Sequence, residues 1–567
     1  MTHSRKRALC WLYAALMTLA VLLFAFLGTE VRYAVNDDAA IMRSFLGYES
    51  GVPADFQIYI HGILAKPLYW LSMAFPLLPW FSYLQSALLG LACLIIAKSI
   101  LQCFVKHEKP LWAGAVLALA FLLTLCLKYI CRMTFTQTSA LLGAAAVLQM
   151  LSIEHDRGGW RVVIGMLGAL ALAVLSYALR QITALPVLAF CGLAFVVILW
   201  AEYGKKRSWK PMLLSLALVA VVMGGLVIAR EVEIQNSDAQ DYLAWQESNT
   251  DVIDYYGMKN VPQEAYDLVG WESETIVMAN KWCFLDSDIS TEAFQKLDAY
   301  MEAHDTRTLA DRLSQGWADV VKVITQNPVD MRCLLLGLLA GITGLICALC
   351  KRRLSIAFGY AAAALGALAM IAYLAFGGRL PLRALLMVTL PVSALFVGWL
   401  PSVLPRRLSL PAALLCAAIA VWCACLFVPG YLPNEEEDLV LGNAMGDLEE
   451  YALSEPESLF IYDDTLVGAD LRAFPDYSEG MPTNITFWGG WGMRSPENVK
   501  LFERYGIDLA SFDPETLLRE DVFIASGRVD PPPTVILEWL QAKVSPDVDW
   551  EIWSEYGNVY IFHFYNY

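Results

Sequence analysis

The chain has 567 residues, of which 57% are hydrophobic and 17% are charged, and its formal net charge is −16. Ordinary soluble domains have about 25% charged and about 45–50% apolar residues, so the composition disfavours a soluble enzyme. It also excludes a disordered chain, a collagen and a small disulfide scaffold. The charge is sorted along the chain, with −13 over residues 231–328, −20 over residues 431–567 and +17 over the remainder. Because Lys and Arg of membrane proteins are retained on the cytoplasmic face, such sorting indicates sidedness.

Eleven apolar stretches are long enough to cross a hydrocarbon core of ~30 Å. They cover residues 8–28, 80–100, 111–127, 134–153, 162–179, 182–200, 212–228, 333–350, 354–376, 382–400 and 409–427. No small-residue cleavage site follows Gly28, so the first stretch is interpreted as an uncleaved span. The sequence therefore predicts an α-helical polytopic membrane protein with about eleven transmembrane helices.

The basic clusters predict how these helices are oriented. They lie at residues 5–7, 106–109, 157–161, 205–207, 351–353 and 406–407. All of them face the cytoplasm if the N-terminus is inside and residues 61–78 do not fully cross the membrane. That segment carries Lys66, Pro67 and Pro76, which favours a re-entrant or interfacial helix. The expected location is the cell membrane, with the C-terminus and the large soluble regions outside the cytoplasm.

The predicted organisation has four parts and one long outer loop. Residues 1–230 form an N-terminal transmembrane region with an outer loop at 29–60, and residues 231–328 form a mostly helical extracytoplasmic insertion. Residues 329–430 form the C-terminal transmembrane helices. Residues 431–567 form a small extracytoplasmic α/β domain. Within the last part, strands are predicted at 458–464, 484–488 and 521–526, helices at 495–506 and 533–544, and a final hairpin turning at Gly557-Asn558.

An acidic pair, Asp37-Asp38, follows the first span after Asn36. Adjacent carboxylates oppose each other's ionisation, which makes the pair costly beside a membrane. One interpretation is a turn or a helix N-cap, where Asn and Asp are common. The other is a carboxylate base that takes the proton of an acceptor hydroxyl. Whether a divalent metal ion assists the base is left open, and no other cofactor is indicated.

Five cations occupy the predicted outer ends of spans, where the sidedness rule expects few. They are Lys128, Arg132, Arg180, Arg379 and Arg383. They could snorkel to lipid headgroups or pair with nearby acids. Alternatively, they converge on a phosphate or pyrophosphate in the outer leaflet, which Arg recognises in a bidentate manner.

The order of these parts resembles the GT-C superfamily of membrane glycosyltransferases. The stretch NDDAAIMRSFLGYESGVPADFQIYIHGILAKPLYWLSMAFPLLPWFSY, the outer-end arginines and the C-terminal extracytoplasmic domain carry the resemblance. Its members include protein O-mannosyltransferases, the aminoarabinose transferase of lipid A and, closer in style, GtrII-type glucosyltransferases. The same stretch resembles multi-span membrane proteins of Firmicutes.

The resemblance implies roles for particular residues. In GT-C enzymes an Asp of the first outer loop is the catalytic base, and the sugar arrives on a polyprenyl phosphate. By that resemblance Asp37 or Asp38 would be the base, and Arg180, Arg379 or Arg383 would hold the lipid phosphate.

The cluster FWGGWGMRSPEN in the C-terminal region contains Trp488 and Trp491. Trp faces stack on sugar rings and glycine lets a backbone approach a ligand closely, so the cluster is a candidate acceptor site. The alternative interpretation is a domain core with a tight loop.

The predicted function is a bacterial membrane glycosyltransferase. It would move a sugar from a polyprenyl-phosphate carrier to a cell-envelope glycan or lipid acceptor on the outer face of the membrane. Its partners would be membrane lipid, the polyprenyl-linked sugar and the acceptor, with no nucleic acid. The alternatives are a transporter or flippase of lipid-linked sugars, and a non-catalytic envelope assembly protein.

Overall fold

The structure is a computed structural model, and it describes residues 3–154, 159–202, 210–432, 435–467, 471–527 and 533–567. The predicted basic clusters at 157 and 205–207 lie outside the described residues. The helices of the N-terminal half are α1 His3–Gly28, α2 Asn36–Leu46, α3 Gly62–Ala74, α4 Trp80–Lys106, α5 Leu111–Leu125, α6 Leu127–Cys131, α7 Phe135–Ser152, α8 Gly159–Leu179, α9 Ala184–Glu202 and α10 Lys210–Gln235. Two short strands, β1 Arg32–Tyr33 and β2 Arg132–Met133, pair in parallel above the bundle.

The second half begins with the helices of the insertion. These are α11 Gln240–Thr250, α12 Gln263–Val269, α13 Ser273–Asn280, α14 Thr291–Ala303 and α15 Leu309–Gln326. A π-helical turn, Asp251–Tyr256, continues α11. The chain then returns to the bundle with α16 Pro328–Cys350, α17 Leu354–Phe376, α18 Leu382–Val403 and α19 Ser409–Phe427, and leaves it through α20 Glu435–Ser454.

Eight helices of the described chain are long and apolar enough to cross a membrane, namely α1, α4, α8, α9, α16, α17, α18 and α19. The class of polytopic helical membrane protein is thereby confirmed. The other three predicted spans, in α5, α7 and α10, are helical too. Helix α5 has 15 residues, α7 is polar in its first turns, and α10 ends in charged residues. Each of the eleven predicted spans is therefore helical in the structure.

Helices α7 and α18 form the centre of the bundle. Helix α7 packs against α4, α8 and α18, and nearly every residue of α18 is buried. Small residues allow the close approach, because a Cβ added at Gly398 of α18 would meet the side chain of Leu151 at 2.5 Å. Close packing of this kind replaces the hydrophobic drive that is missing between helices in lipid.

The 13 residues of α3 lie in the segment that the sequence predicts as re-entrant or interfacial. At 1.5 Å per residue the helix is about 20 Å long, shorter than a hydrocarbon core of ~30 Å. Its exposed apolar side chains include Trp70 and Met73. A helix that lies at the membrane surface without crossing it has these properties.

The C-terminal region contains a five-stranded sheet with the order β4-β3-β5-β7-β6. Its strands are β3 Leu459–Tyr462, β4 Ile485–Phe487, β5 Val522–Ser526, β6 Val548–Tyr556 and β7 Val559–Asn566, with helices α21 Pro496–Arg504 and α22 Thr534–Lys543. Strands β4, β3 and β5 are parallel, and β7 and β6 form an antiparallel hairpin. Gly557 has a φ of 57° at its turn. The small α/β region and its hairpin are confirmed at the predicted positions.

The insertion and the sheet region share one hydrophobic core, although the helices α16 to α19 separate them in sequence. Trp245 and Phe284 of the insertion pack into the same cluster as Trp488 and Trp539. The backbone N–H of Phe284 donates to the Trp488 carbonyl at 3.0 Å. The two segments therefore fold into one soluble unit above the bundle.

Candidate functional site

A cavity of about 680 Å³ lies between the bundle and the soluble unit. We call its bundle side the floor, formed by Asn36, Asp37, Tyr59, Thr134, Gln137, Arg379 and Arg383. We call its soluble side the roof, formed by Gln246, Asn249, Thr250, Asp254, Asn280, Lys281, Trp282, Asp464, Phe487 and Trp491. Three of the nine residues that the sequence singles out are thus on the floor, and one is on the roof.

Asp37 and Arg383 form an ion pair on the floor. Asp37 is in the first turn of α2, and Arg383 is in the first turn of α18, 346 residues away. A guanidinium NH1 of Arg383 donates to Oδ2 of Asp37, and both side chains remain partly open to the cavity. The positive end of the α2 dipole favours a carboxylate at this position. The pair brings together a proton acceptor and a phosphate-binding group.

Asp38 has a different environment from its neighbour. Its side chain is 0% exposed, and its Oδ1 accepts from the backbone N–H of Phe135 at 2.7 Å and from Nε2 of Gln85 at 3.0 Å. Its Oδ2 has no hydrogen-bond partner among the described residues. Burial raises the pKa of the Asp38 carboxyl to about 8, so the group is largely protonated at neutral pH. Asp38 joins α2 to the start of α7 and does not line the cavity.

Arg379 connects the floor to the roof. The guanidinium NH1 of Arg379 is ion-paired with Oδ2 of Asp254, which belongs to the π-helical turn of the insertion. Arg379 lies in the link between α17 and α18, next to Gly378, whose φ of 87° suits a glycine. Asp254 also lines the cavity.

Arg180 lies next to the floor, beneath Tyr59. Its guanidinium is 4.5 Å from the centre of the Tyr59 ring and 5.0 Å from that of Phe135, which is a cation–π arrangement. Burial lowers the pKa of the Arg180 guanidinium. Tyr59 lines the cavity and Arg180 does not, but the charges of Arg383 and Asp37 act on Arg180.

Lys128 and Arg132 are both engaged elsewhere. Lys128 pairs with Asp330 of α16, whose other carboxylate oxygen accepts from the Tyr129 hydroxyl at 3.0 Å. Arg132 donates to the Glu30 carbonyl at 2.6 Å and lies 4.5 Å from the centre of the Tyr431 ring. Neither side chain lines the cavity. Of the five predicted cations, Arg379 and Arg383 converge and Arg180 lies close by.

The two predicted tryptophans, Trp488 and Trp491, lie in different environments. Trp491 lines the cavity, its ring 5.5 Å from that of Tyr59, and its carbonyl accepts from the Tyr242 hydroxyl at 2.7 Å. Trp488 is 3% exposed and belongs to the core of the soluble unit. Phe487 and Gly490 of the same motif line the cavity with Trp491. The motif therefore contributes residues both to the cavity wall and to the core of the soluble unit.

Several cavity residues carried no signal in the sequence, among them Gln137, Asn249, Trp282 and Asp464. They come from four separate segments, and no motif spacing links them. Within the described residues, no group of three or more His, Cys, Asp or Glu side chains is placed to hold a metal ion.

No protein-family model and no curated protein matches the sequence. Among solved structures, the chain is similar to ArnT from Cupriavidus metallidurans in the apo state, with a TM-score of 0.41 and 12% identity over 96% of this chain and 97% of that one. It is similar with the same coverage and identity to ArnT bound to undecaprenyl phosphate, with a TM-score of 0.38. At these TM-scores and this identity, the matches assign neither activity nor substrate to this chain.

Proposed function

We propose that the protein is a membrane glycosyltransferase that moves a sugar from a polyprenyl-phosphate carrier to a cell-envelope acceptor outside the cytoplasm. The observation that carries this proposal is the floor, where Asp37, Arg379 and Arg383 meet in one cavity at the end of the membrane bundle. A glycosyl transfer from a lipid phosphate needs a base for the acceptor hydroxyl and cations for the leaving phosphate. It also needs both groups at the membrane surface, where a lipid carrier and a soluble acceptor meet.

The opposite end of the bundle supports an extracytoplasmic cavity. Helix α7 starts at the floor, and at its far end Lys106 donates to the carbonyls of Leu151 and Ile153 at 2.9 and 2.7 Å. Lys109 donates to the Leu404 carbonyl beside the cluster 406–407. By the positive-inside rule the basic end would be the cytoplasmic one, which supports a cavity outside the cytoplasm.

The ion pair on the floor suggests how donor binding releases Asp37 to act as a base. Before the donor binds, Arg383 holds the Asp37 carboxylate. A phosphate offers more oxygen acceptors and more charge to a guanidinium than a carboxylate does. In the proposed mechanism, Arg383 turns to the donor phosphate together with Arg379, and Asp37 is released to act as a base.

The transfer step then balances without another reactant. Asp37 takes the proton of the acceptor hydroxyl. At the same time the oxygen of that hydroxyl forms a bond to the anomeric carbon of the donor sugar. The bond between that carbon and the phosphate oxygen breaks, and its electrons leave with the polyprenyl phosphate. Arg379 and Arg383 stabilise the negative charge that develops on the departing phosphate.

The assignment of the base to Asp37 rests on the contrast with Asp38. A base must reach the hydroxyl that it deprotonates. Asp37 lines the cavity, whereas Asp38 is buried with a raised pKa and receives hydrogen bonds from two other helices. In the proposal Asp38 positions α2, and Arg180 supports Tyr59. Lys128 and Arg132 stabilise the bundle.

Binding of undecaprenyl phosphate to the purified full-length protein in lipid nanodiscs tests the donor site. We expect the wild type to bind it and Arg379→Gln to weaken the binding by about tenfold, because one charge-assisted hydrogen bond is lost. Arg407→Gln is the control, because Arg407 is exposed at the basic end. If the wild type does not bind, or if both variants bind like the wild type, the donor assignment is wrong.

A further inference from the structure

The cavity contains buried amide groups without partners. Asn249 is 3% exposed and Gln137 is 6% exposed, and both line the cavity. Nδ2 of Asn249 and Oε1 of Gln137 have no hydrogen-bond partner among the described residues. A polar group buried without a partner is costly in a folded protein, so such groups point to a ligand that completes them.

The chemistry of the two groups restricts that ligand. The two side chains line opposite sides of the cavity, and each unpartnered atom is itself closed off from solvent, so a ligand engages it once the amide turns. When either amide turns, its NH₂ group and its carbonyl oxygen exchange places. A ligand hydroxyl can pair with the amide in either orientation, because a hydroxyl both donates and accepts hydrogen bonds. A phosphate or carboxylate only accepts. Three further amides, Asn36, Gln246 and Asn280, and the hydroxyls of Thr134 and Thr250 also line the wall.

Aromatic rings complete the wall on the roof. Trp282, Phe487 and Trp491 line it, and aromatic faces suit the apolar faces of sugar rings. Trp282 has a φ of 58°, an uncommon conformation for a residue with a large side chain. Its carbonyl packs so tightly on Gly489 that a Cβ there would meet it at 1.5 Å. Backbone strain of this kind is concentrated at binding sites.

The charges of the cavity balance one another. Its wall carries three acidic and three basic side chains, and two of each are paired across Asp37–Arg383 and Asp254–Arg379. The remaining two, Lys281 and Asp464, are both on the roof and have opposite signs. The roof therefore offers no excess charge to an ionic acceptor.

We propose that the roof, together with Gln137, is the acceptor subsite and binds an uncharged, polyhydroxylated glycan. Asn249 and Gln137 hydrogen-bond to its hydroxyls, and Trp282 and Trp491 stack on its sugar rings. That the bound glycan is the acceptor rests on the proposed function, whereas glycan binding at the roof rests on the amides and aromatic rings alone.

The test is calorimetric titration of the full-length protein in nanodiscs with three neutral trisaccharides, maltotriose, chitotriose and mannotriose, and with trigalacturonate as a charged counterpart. At least one neutral trisaccharide should bind the wild type, and trigalacturonate should bind more weakly. Asn249→Asp keeps the shape of the side chain but removes both N–H donors, and we expect it to weaken binding about three- to tenfold. Trp491→Ala should weaken it about tenfold.

Asn236→Asp is the matched control, because Asn236 is exposed just after α10 and its amide donates to the Val232 carbonyl of that helix. All variants should bind undecaprenyl phosphate like the wild type, which also shows that they are folded. The proposal is overturned if no neutral trisaccharide binds, if trigalacturonate binds best, or if Asn249→Asp and Trp491→Ala leave binding unchanged. Trisaccharide binding without undecaprenyl phosphate binding would contradict the proposed function and leave the glycan subsite intact.

Discussion

The floor and the roof of the cavity are built from different kinds of structure and carry different chemistry. The floor consists largely of helix ends and links of the membrane bundle, and its central groups are the charged side chains Asp37, Arg379 and Arg383. The roof comes from two soluble segments, and it is dominated by amides and aromatic rings. The floor therefore carries two guanidinium groups and one carboxylate, whereas the roof carries Asp254, Lys281 and Asp464 among more numerous amides and aromatic rings. In the proposed function, the donor would bind at the floor and the acceptor at the roof.

The largest expected effect is the loss of the roof. In Gly489→Ala the new Cβ would overlap the Trp282 carbonyl, and overpacking against a backbone atom costs roughly 3 kcal/mol. We expect the insertion to become sensitive to limited proteolysis and glycan binding to be lost, while undecaprenyl phosphate still binds the floor. Gly492→Ala is the control, because nothing lies within 4 Å of a Cβ at that position. Equal behaviour of the two variants would show that the roof does not depend on this contact.

The next effect concerns the base on the floor. Asp37→Asn removes the proton acceptor, and we expect transfer to fall about 10²–10⁴-fold, the usual contribution of a general base. The measurement is envelope glycan composition by mass spectrometry in cells that carry only the variant, with its abundance checked by immunoblot. Normal glycan modification at normal abundance would exclude Asp37 as the base.

A smaller effect is expected for the cation that faces Asp37. Arg383→Gln removes the bidentate group, and undecaprenyl phosphate binding should weaken about 10–100-fold, as expected for hydrogen bonds to charged groups. Lys128→Gln should leave this binding unchanged, because Lys128 pairs with Asp330 outside the cavity. If the two substitutions weaken binding equally, the floor is not the phosphate site.

The smallest effect on transfer is expected for substitution of Asp38. A measurement of stability against pH distinguishes the role of Asp38 from that of Asp37. Because burial raises the pKa of Asp38 to about 8 from an ordinary value of 3.8, the folded protein keeps a proton that the unfolded chain releases. Thermal stability should therefore fall as the pH rises from about 4 to about 8. Burial also raises the pKa of Glu49 to about 7, and this carboxyl adds to the fall.

Asp38→Asn is uncharged and keeps an oxygen that can accept from Phe135 and Gln85. Its melting temperature should depend less on pH than that of the wild type, and its transfer activity at neutral pH should change by no more than a few-fold. An unchanged pH dependence would contradict the raised pKa. A loss of transfer as large as that of Asp37→Asn would contradict the division of roles between the two residues.

The candidate site was only partly predictable from sequence. The pair Asp37-Asp38 stood out because adjacent carboxylates are rare beside a membrane, yet nothing local distinguishes the two. Their difference arises from Gln85 and Phe135, which reach Asp38 from other helices. Likewise, Lys128 and Arg383 both sit at helix ends, and their distant partners Asp330 and Asp37 set them apart.

The sequence by itself determined the class of the protein and the order of its parts. Long apolar runs can form only helices in a bilayer, since the backbone must satisfy its hydrogen bonds internally, and sorted charges indicate the sides. The strands and the hairpin followed from local alternation and turn residues. The tertiary structure alone decided that residues 231–328 and 431–567 share a core, and that this unit closes a cavity over the floor. Side-chain burial and pairing depend on contacts between segments hundreds of residues apart, and local sequence patterns do not encode them.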